Sequence, residues 1–128
     1  MLAVDTSVVV RCIVRDDEAQ SKRARAIVSS GSIFLSPAVI LESEWVLSGL
    51  YGFSGAEATD ALEAFCGLPG VEVGEADAVK RAFDLVRTGL DLADALHLAQ
   101  AAECEAFVTF DRRLEKRAKR SNLSVKLA

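Results

Sequence analysis

Hydrophobic and polar positions follow one another in blocks, and short apolar runs alternate with longer stretches that have helical spacing. The first apolar run, residues 2–4, leads directly into Asp5. A short apolar run bounded in this way is typical of a buried strand. The hydroxyl residues that follow, Thr6 and Ser7, are predicted to cap a helix that begins before the run Val8-Val9-Val10.

Clear helix-start signals stand later in the chain. Ser36 is a predicted N-cap with Pro37 at the first helical position, and Ser54 and Glu57 have the spacing of a capping box. The remaining strands are predicted over residues 32–35, 71–73, 106–109 and 123–127. Short strands that alternate with helices predict an α/β domain with a mostly parallel sheet. No linker or repeat interrupts the 128 residues, so a single domain over 1–128 is expected.

Composition argues against a disordered protein and against a generally basic one. Hydrophobic residues make up 51% of the chain, which argues against disorder, and 15 basic against 19 acidic residues give a net charge of −4. A nucleic acid would therefore have to be met by a local basic patch rather than by the protein as a whole. The run of Lys and Arg between Arg112 and Arg120 is such a patch, although a solvated helix face is its ordinary interpretation.

Nothing in the sequence predicts a secretory signal or a membrane span. The three cysteines, Cys12, Cys66 and Cys104, are scattered and odd in number, which favours reduced thiols in a cytoplasmic protein over a disulfide framework or a sulfur-based metal site.

Four acidic residues occupy unusual positions. Asp5 and Asp111 each follow an apolar strand, Glu42 interrupts the apolar helix after the second strand, and Asp94 lies in the first turn of a predicted helix. Ligands of open α/β sheets bind at the carboxyl ends of the strands, where Asp5, Glu42 and Asp111 are expected. Asp94 precedes its strand, so its place at that edge does not follow from topology alone.

Carboxylates gathered at one edge would repel one another unless a cation were present. Mg²⁺ or Mn²⁺ prefers oxygen ligands and can polarise a phosphate oxygen and activate water, which is the chemistry of phosphodiester hydrolysis. The chain has a single histidine, His97, so a histidine-based triad or a zinc site is poorly supported.

Each of the other conspicuous residues has a simpler interpretation. Asp91 is expected to be an N-cap rather than a further ligand, and Glu44 is expected to face solvent. His97 is expected in the core or in a hydrogen bond to the acidic site. Trp45 and its apolar helix are expected in the core first, and in a dimer or partner surface second.

Four stretches, taken in order, resemble a PIN-domain ribonuclease, specifically a VapC-type toxin of bacterial toxin–antitoxin pairs. They are VDTSVVV with Asp5, SPAVILESEWVL with Glu42, DLADALHLAQA with Asp94, and FVTFDRRL with Asp111. The resemblance covers nearly the whole chain. Each stretch is a weak signal alone, whereas four in the right order are specific.

The resemblance implies a PIN-like three-layer fold, with a mostly parallel sheet of about five strands flanked by helices. It implies a metal-dependent endoribonuclease that cleaves tRNA or rRNA and leaves 3′-hydroxyl and 5′-phosphate ends. Asp5, Asp94 and Asp111 would be direct or water-mediated ligands of Mg²⁺ (or Mn²⁺), and Glu42 would complete the catalytic set by positioning water or acting as a base. Thr6 and Thr109 would donate hydrogen bonds around the site. The implied partners are a VapB-like antitoxin and a second copy of the chain.

Two other functions compete with the nuclease as interpretations of the sequence. A non-catalytic interaction module is the main alternative, and the apolar helix around Trp45 is the feature that suggests it. A phosphatase of the haloacid dehalogenase type also begins with an acid after the first strand, but it expects a second Asp two residues later, where this chain has Ser7.

Overall fold

Five short strands, all in parallel pairs, alternate with seven helices in the computed structural model, which describes residues 1–128. The α/β class and the PIN-like fold predicted from the sequence are confirmed. The hydrogen-bonded pairs make up one three-stranded and one two-stranded sheet. The chain divides into two compact units, residues 1–76 and 77–128, which we describe separately.

The first unit contains the three-stranded sheet, in the order β1-β2-β3. Its elements are β1 (Leu2–Ala3), α1 (Thr6–Ile13), α2 (Glu18–Ser29), β2 (Ile33–Leu35), α3 (Pro37–Leu50), α4 (Gly55–Cys66) and β3 (Val71–Val73). Ile33 and Leu35 of the central strand are fully buried. The edge strand β1 is not, since Leu2 is 57% exposed, so the prediction of a buried first strand was wrong.

Local sequence signals explain where these helices begin. Ser36 caps α3 by accepting from the Val39 N–H, with Pro37 in the first turn. Ser54 and Glu57 form the predicted capping box of α4, in which each side chain accepts from the other residue's backbone N–H. A glycine is required between α4 and β3, because Gly70 has φ +84° and a Cβ there would lie 2.2 Å from the Gly31 carbonyl oxygen.

The second unit contains the two-stranded sheet. Its elements are α5 (Ala76–Val86), α6 (Leu92–Gln100), β4 (Phe107–Thr109), α7 (Arg112–Ala118), a 3₁₀ turn (Lys119–Ser121) and β5 (Val125–Leu127). Asn122 follows the 3₁₀ turn in the left-handed conformation, with φ 55°, and reverses the chain into β5. The core residues include Val79, Phe83, Leu96 and Leu114. None of the helices in either unit combines the length and the apolar character needed to cross a bilayer.

Candidate functional site

Asp5 lies between β1 and α1 and is itself the N-cap of α1. Its Oδ1 accepts from the Ser7 backbone N–H at 3.0 Å and from the Ser7 hydroxyl at 2.5 Å. Thr6 and Ser7 are therefore the first residues of the helix. The prediction that they cap it was wrong. Asp5 has the extended backbone conformation of an N-cap, so its carboxylate accepts a first-turn N–H that has no partner within the helix. Hydrogen bonding from Ser7 lowers the pKa of Asp5 below its ordinary value, although desolvation opposes this.

Glu42 lies on α3, and its position is fixed by Thr6. The Thr6 hydroxyl, on a side chain that is 9% exposed, donates to Glu42 Oε1 in a short hydrogen bond. Because Thr6 directly follows Asp5, this bond brings Glu42 beside the start of α1. The predicted role of Thr6 as a hydrogen-bond donor is thus confirmed, and its partner is the catalytic candidate Glu42.

Glu44 is not part of this arrangement. It is only partly exposed, and its Oε1 accepts from the Ser48 hydroxyl at 2.9 Å one turn further along α3. The expectation that Glu44 faces solvent is met only in part, because the residue is half-buried and its carboxylate is bonded within its own helix.

In the second unit, Asp94 and Asp111 both lie at helix starts. Asp94 is in the first turn of α6, where its backbone N–H donates to Oδ1 of the N-cap Asp91 at 2.8 Å. Asp91 is thus the N-cap of α6, as predicted. Asp111 caps α7 and accepts from two backbone N–H groups, those of Arg113 at 2.8 Å and Leu114 at 3.0 Å.

Thr109 supports Asp111 differently from the prediction. Its hydroxyl oxygen accepts from the Asp111 backbone N–H at 3.0 Å, so it holds the backbone at the end of β4 rather than donating to a carboxylate. Hydrogen bonds to Thr109 before Asp111, and to the first turn of α7 after it, therefore hold the turn from β4 into α7.

The electrostatic environment of Asp94 is unfavourable for its charged form. Its pKa is raised above the ordinary value by burial first, and then by the negative charges of Asp91 and Asp111. The positive potential of His97 and Arg117 offsets part of this effect. A divalent cation bound beside Asp94 and Asp111 would relieve the repulsion.

The donor set in the second unit fits a hard cation. No group of three or more His, Cys, Asp or Glu side chains in the structure is arranged to hold a metal ion by itself. Mg²⁺, however, keeps several of its waters and is usually bound through one or two carboxylates. Asp94 and Asp111 meet that requirement, and neither sulfur nor imidazole is needed.

His97 is not a core residue, and that part of its interpretation was wrong. Its side chain is exposed and stacks on Phe107 of β4, with ring centroids 6.4 Å apart and an interplanar angle of 25°. It follows Asp94 by one helical turn, which explains its electrostatic effect on that carboxylate.

The apolar helix α3 is not covered along its whole length. Trp45 is 59% exposed and Leu50 is 79% exposed, so the expectation that Trp45 lies in the core was wrong. Ile40 and Leu47 occupy the buried side of the helix instead. The second interpretation of this helix, as a surface for another protein chain, stays a prediction.

A separate apolar cavity of about 360 Å³ lies at the far end of α1 from Asp5, among α1, α2 and α4. Ile13, Val28, Phe65 and Leu68 are among its lining residues, and no Asp or Glu is. With no carboxylate or histidine in its lining, this cavity contains none of the four candidate acids.

Two residues near the acids were not recognised in the sequence. Ser7 binds Asp5, and an Asp followed two residues later by Ser is the pattern of an Asx turn that could have indicated it. Phe110, next to Asp111, is 87% exposed. Its position directly after the end of a strand, beside a candidate acid, is the sequence signal that could have indicated it.

Comparison with known families agrees with the geometry. The model of the PIN domain family matches residues 2–120, and PIN domains are in general metal-dependent nucleases. None of the curated proteins compared with the chain matches it. Since the family match covers nearly the whole sequence, the chain belongs to the PIN-domain family.

Proposed function

We propose that the chain is a Mg²⁺- or Mn²⁺-dependent endoribonuclease of the VapC toxin type. The observation that carries this proposal is the match of the PIN-domain model to residues 2–120, within which Asp94 and Asp111 stand at the starts of α6 and α7. Burial and then the negative charges of Asp91 and Asp111 raise the pKa of Asp94, and a bound cation would offset this unfavourable environment. The resemblance of the four acidic stretches to the toxin family supports the choice of RNA, with tRNA or rRNA as the natural targets.

In this proposal Asp5, Asp94 and Asp111 hold the metal ion, directly or through its bound waters, and Glu42 acts on the attacking water. When bound, the ion would offset the carboxylate charge and polarise a phosphate oxygen of the substrate. The two hydrogen bonds from Ser7 fix the orientation of Asp5, and those from the start of α7 fix Asp111.

Glu42 is suited to move a proton. Its Oε1 accepts from Thr6, and its other carboxylate oxygen remains to take a proton from water. The water oxygen forms a bond to phosphorus as the bond from phosphorus to the 3′ oxygen breaks, and the departing 3′ oxygen takes a proton from solvent. The products are a 5′-phosphate and a 3′-hydroxyl, and the ribose 2′-oxygen takes no part.

The partners in this proposal are a VapB-like antitoxin and a second copy of the chain. The exposed Trp45 and Leu50 on α3 support a protein-binding surface of this kind. The same exposure favours the second candidate function, a non-catalytic interaction module. A protein that associates through α3 and never cleaves RNA would fit that candidate and not the first.

The experiment is a cleavage assay on structured RNA with Mg²⁺ or Mn²⁺, run beside the same assay in chelator. The test variant is Glu42→Gln and the matched control is Glu44→Gln, which lies on the same helix and is bonded to Ser48. We expect cleavage only with the ion, at least a hundredfold slower for Glu42→Gln, and close to wild type for Glu44→Gln. Full activity in chelator or in Glu42→Gln would contradict the proposal.

A further inference from the structure

The outer face of α7 and the 3₁₀ turn that continues it form a concentrated positive surface. Arg113, Lys116, Arg117 and Arg120 line a groove of about 500 Å³, and no acidic side chain lines it. Their spacing of three, four and seven residues places them on one side of a helix. All four are exposed, although the chain as a whole carries a charge of −4. We call these four residues the basic face.

The basic face is not neutralised by the ion pair on the same helix. Lys119, which does not line the groove, pairs with Glu115 at 2.8 Å. Arg117 donates to the Gly89 carbonyl oxygen at 3.3 Å, which anchors the guanidinium without cancelling its charge. Four positive charges therefore remain available to an anionic ligand. An ordinary solvated helix face carries charges of both signs, so the basic face attracts an anion more strongly than such a face does.

Phe110 adds an aromatic surface at one end of the basic face. It is 87% exposed, and it lies between the end of β4 and the first residue of α7. The backbone around it is held, because the Asp111 N–H donates to Thr109 and the Asp111 carboxylate accepts from Arg113. An exposed ring on a held backbone can stack on an unpaired base, whereas the bases of a duplex are already stacked.

The basic face also lies next to the acids of the second unit. Asp111 begins the helix that carries it, and Arg117 is near enough to Asp94 to influence that carboxylate. A polyanion bound along the basic face would therefore pass close to the Asp94 and Asp111 carboxylates. Charge complementarity favours a nucleic acid over an apolar protein segment.

We propose that the basic face and Phe110 bind a single-stranded segment of RNA, with phosphates held along α7 and an unpaired base stacked on Phe110 beside Asp111. This proposal rests on the proposed function for taking RNA as the ligand. The distance from Arg113 to Arg120 along the helix is about 10 Å, enough for a short run of nucleotides. Lys and Arg would supply affinity through phosphate contacts without reading the sequence, and Phe110 would select for an unpaired base.

The test measures binding separately from cleavage. A fluorescent unstructured RNA of about ten nucleotides is titrated with the full chain in chelator, and anisotropy is followed over a range of salt concentrations. The variants are Phe110→Ala and the double variant Lys116→Gln/Arg120→Gln. The matched control is Lys119→Gln, which lies in the 3₁₀ turn beside Arg120 but does not line the groove. Circular dichroism checks the fold, which these exposed positions are not expected to disturb.

Each variant has its own expected result. Phe110→Ala should weaken single-strand binding about fivefold or more with the salt dependence unchanged, and binding of a duplex RNA should not change. The double variant should weaken binding to both RNAs and reduce the slope of log affinity against log salt by about 1.4 on the single strand, since each lost phosphate contact removes about 0.7. Lys119→Gln should stay within about twofold of wild type, as a rim charge outside the contact does.

The outcomes separate this inference from the nuclease proposal. If Phe110→Ala and the double variant bind RNA as the wild type does, the inference is wrong, and metal-dependent cleavage by the wild type would still support the nuclease. If the wild type binds RNA through these residues but never cleaves it, the nuclease proposal fails and the inference stands. If the variants instead lose only a protein partner, the basic face is a protein-binding surface and the inference is overturned.

Discussion

Thr6 and Glu42 are separated by 36 residues, and the Thr6 hydroxyl donates to the Glu42 carboxylate. Thr6 is in the first turn of α1, Glu42 is in the second turn of α3, and the two helices pack against each other. A glutamate side chain is long and flexible, so a hydrogen bond from a buried hydroxyl restricts its orientation. Thr6 is therefore a positioning residue for Glu42 in the proposed reaction.

Removal of the Thr6 hydroxyl should slow cleavage by way of Glu42. Thr6→Val keeps the shape of the side chain and removes the donor, so we expect kcat to fall roughly tenfold with little change in KM. Thr6→Ser keeps the donor and should remain near wild type. The free energy of unfolding of Thr6→Val should fall by about 1 kcal/mol. The measurements are steady-state kinetics and thermal unfolding, and an unchanged kcat in Thr6→Val would exclude this role.

Asp5 has a structural and a proposed chemical role, and two substitutions separate them. Asn is as good an N-cap as Asp, so Asp5→Asn should unfold near the wild-type temperature and yet lose most of its RNA cleavage. Asp5→Ala should lose cleavage and also about 0.5–2 kcal/mol of stability, because the cap is gone. Denaturant unfolding and the cleavage assay give both quantities. Undiminished cleavage by Asp5→Asn would remove Asp5 from the proposed site.

Asp94 should lower the stability of the metal-free protein at neutral pH. Its pKa is raised in the folded state, so the folded state binds more protons, and stability falls as pH rises from the ordinary Asp pKa through the raised value. Asp94→Asn should therefore raise the melting temperature at pH 7 in chelator. It should also flatten the dependence of stability on pH above the ordinary Asp pKa of about 4. A lower melting temperature for Asp94→Asn would show that the carboxylate stabilises the fold.

The exposed apolar residues of α3 should control self-association. The double variant Trp45→Ser/Leu50→Ser removes apolar area that already faces solvent, so the melting temperature of the isolated chain should change little. If a homodimer forms through α3, the double variant should sediment as a monomer at concentrations where the wild type is a dimer. Ile27, which is 38% exposed on α2, provides the control variant Ile27→Ser. Equal sedimentation of the wild type and the double variant would contradict this use of α3.

Features that depend on a few neighbouring residues could be predicted from the sequence. The Ser36 cap, the capping box of Ser54 and Glu57, and the cap formed by Asp91 are all interactions within one helical turn. The parallel strands followed from the alternation of short apolar runs with helices. The first cap was wrong because Asp5, Thr6 and Ser7 can all act as caps, and only the backbone geometry selects Asp5.

Features that depend on packing could not be predicted. The hydrogen bond between Thr6 and Glu42 requires α1 to lie against α3, and nothing near either residue specifies that contact. Trp45 was expected in the core because apolar residues surround it in the sequence, yet Ile40 and Leu47 fill the buried side of the helix and leave Trp45 exposed. The exposure of His97 was missed for a similar reason, because composition alone does not show that its ring stacks on Phe107 at the surface.

The proposed nuclease depends on Asp5, Asp94 and Asp111 holding a divalent ion, directly or through its bound waters. Calorimetric titration of Mn²⁺ into the wild type and into Asp5→Asn, Asp94→Asn and Asp111→Asn tests it most directly, with Asp84→Asn, an exposed position on α5, as the control. We predict that each of the three variants binds Mn²⁺ at least about tenfold more weakly than the wild type and that the control binds equally well. Wild-type affinity in all three variants, or no binding by the wild type at millimolar Mn²⁺, would contradict the claim.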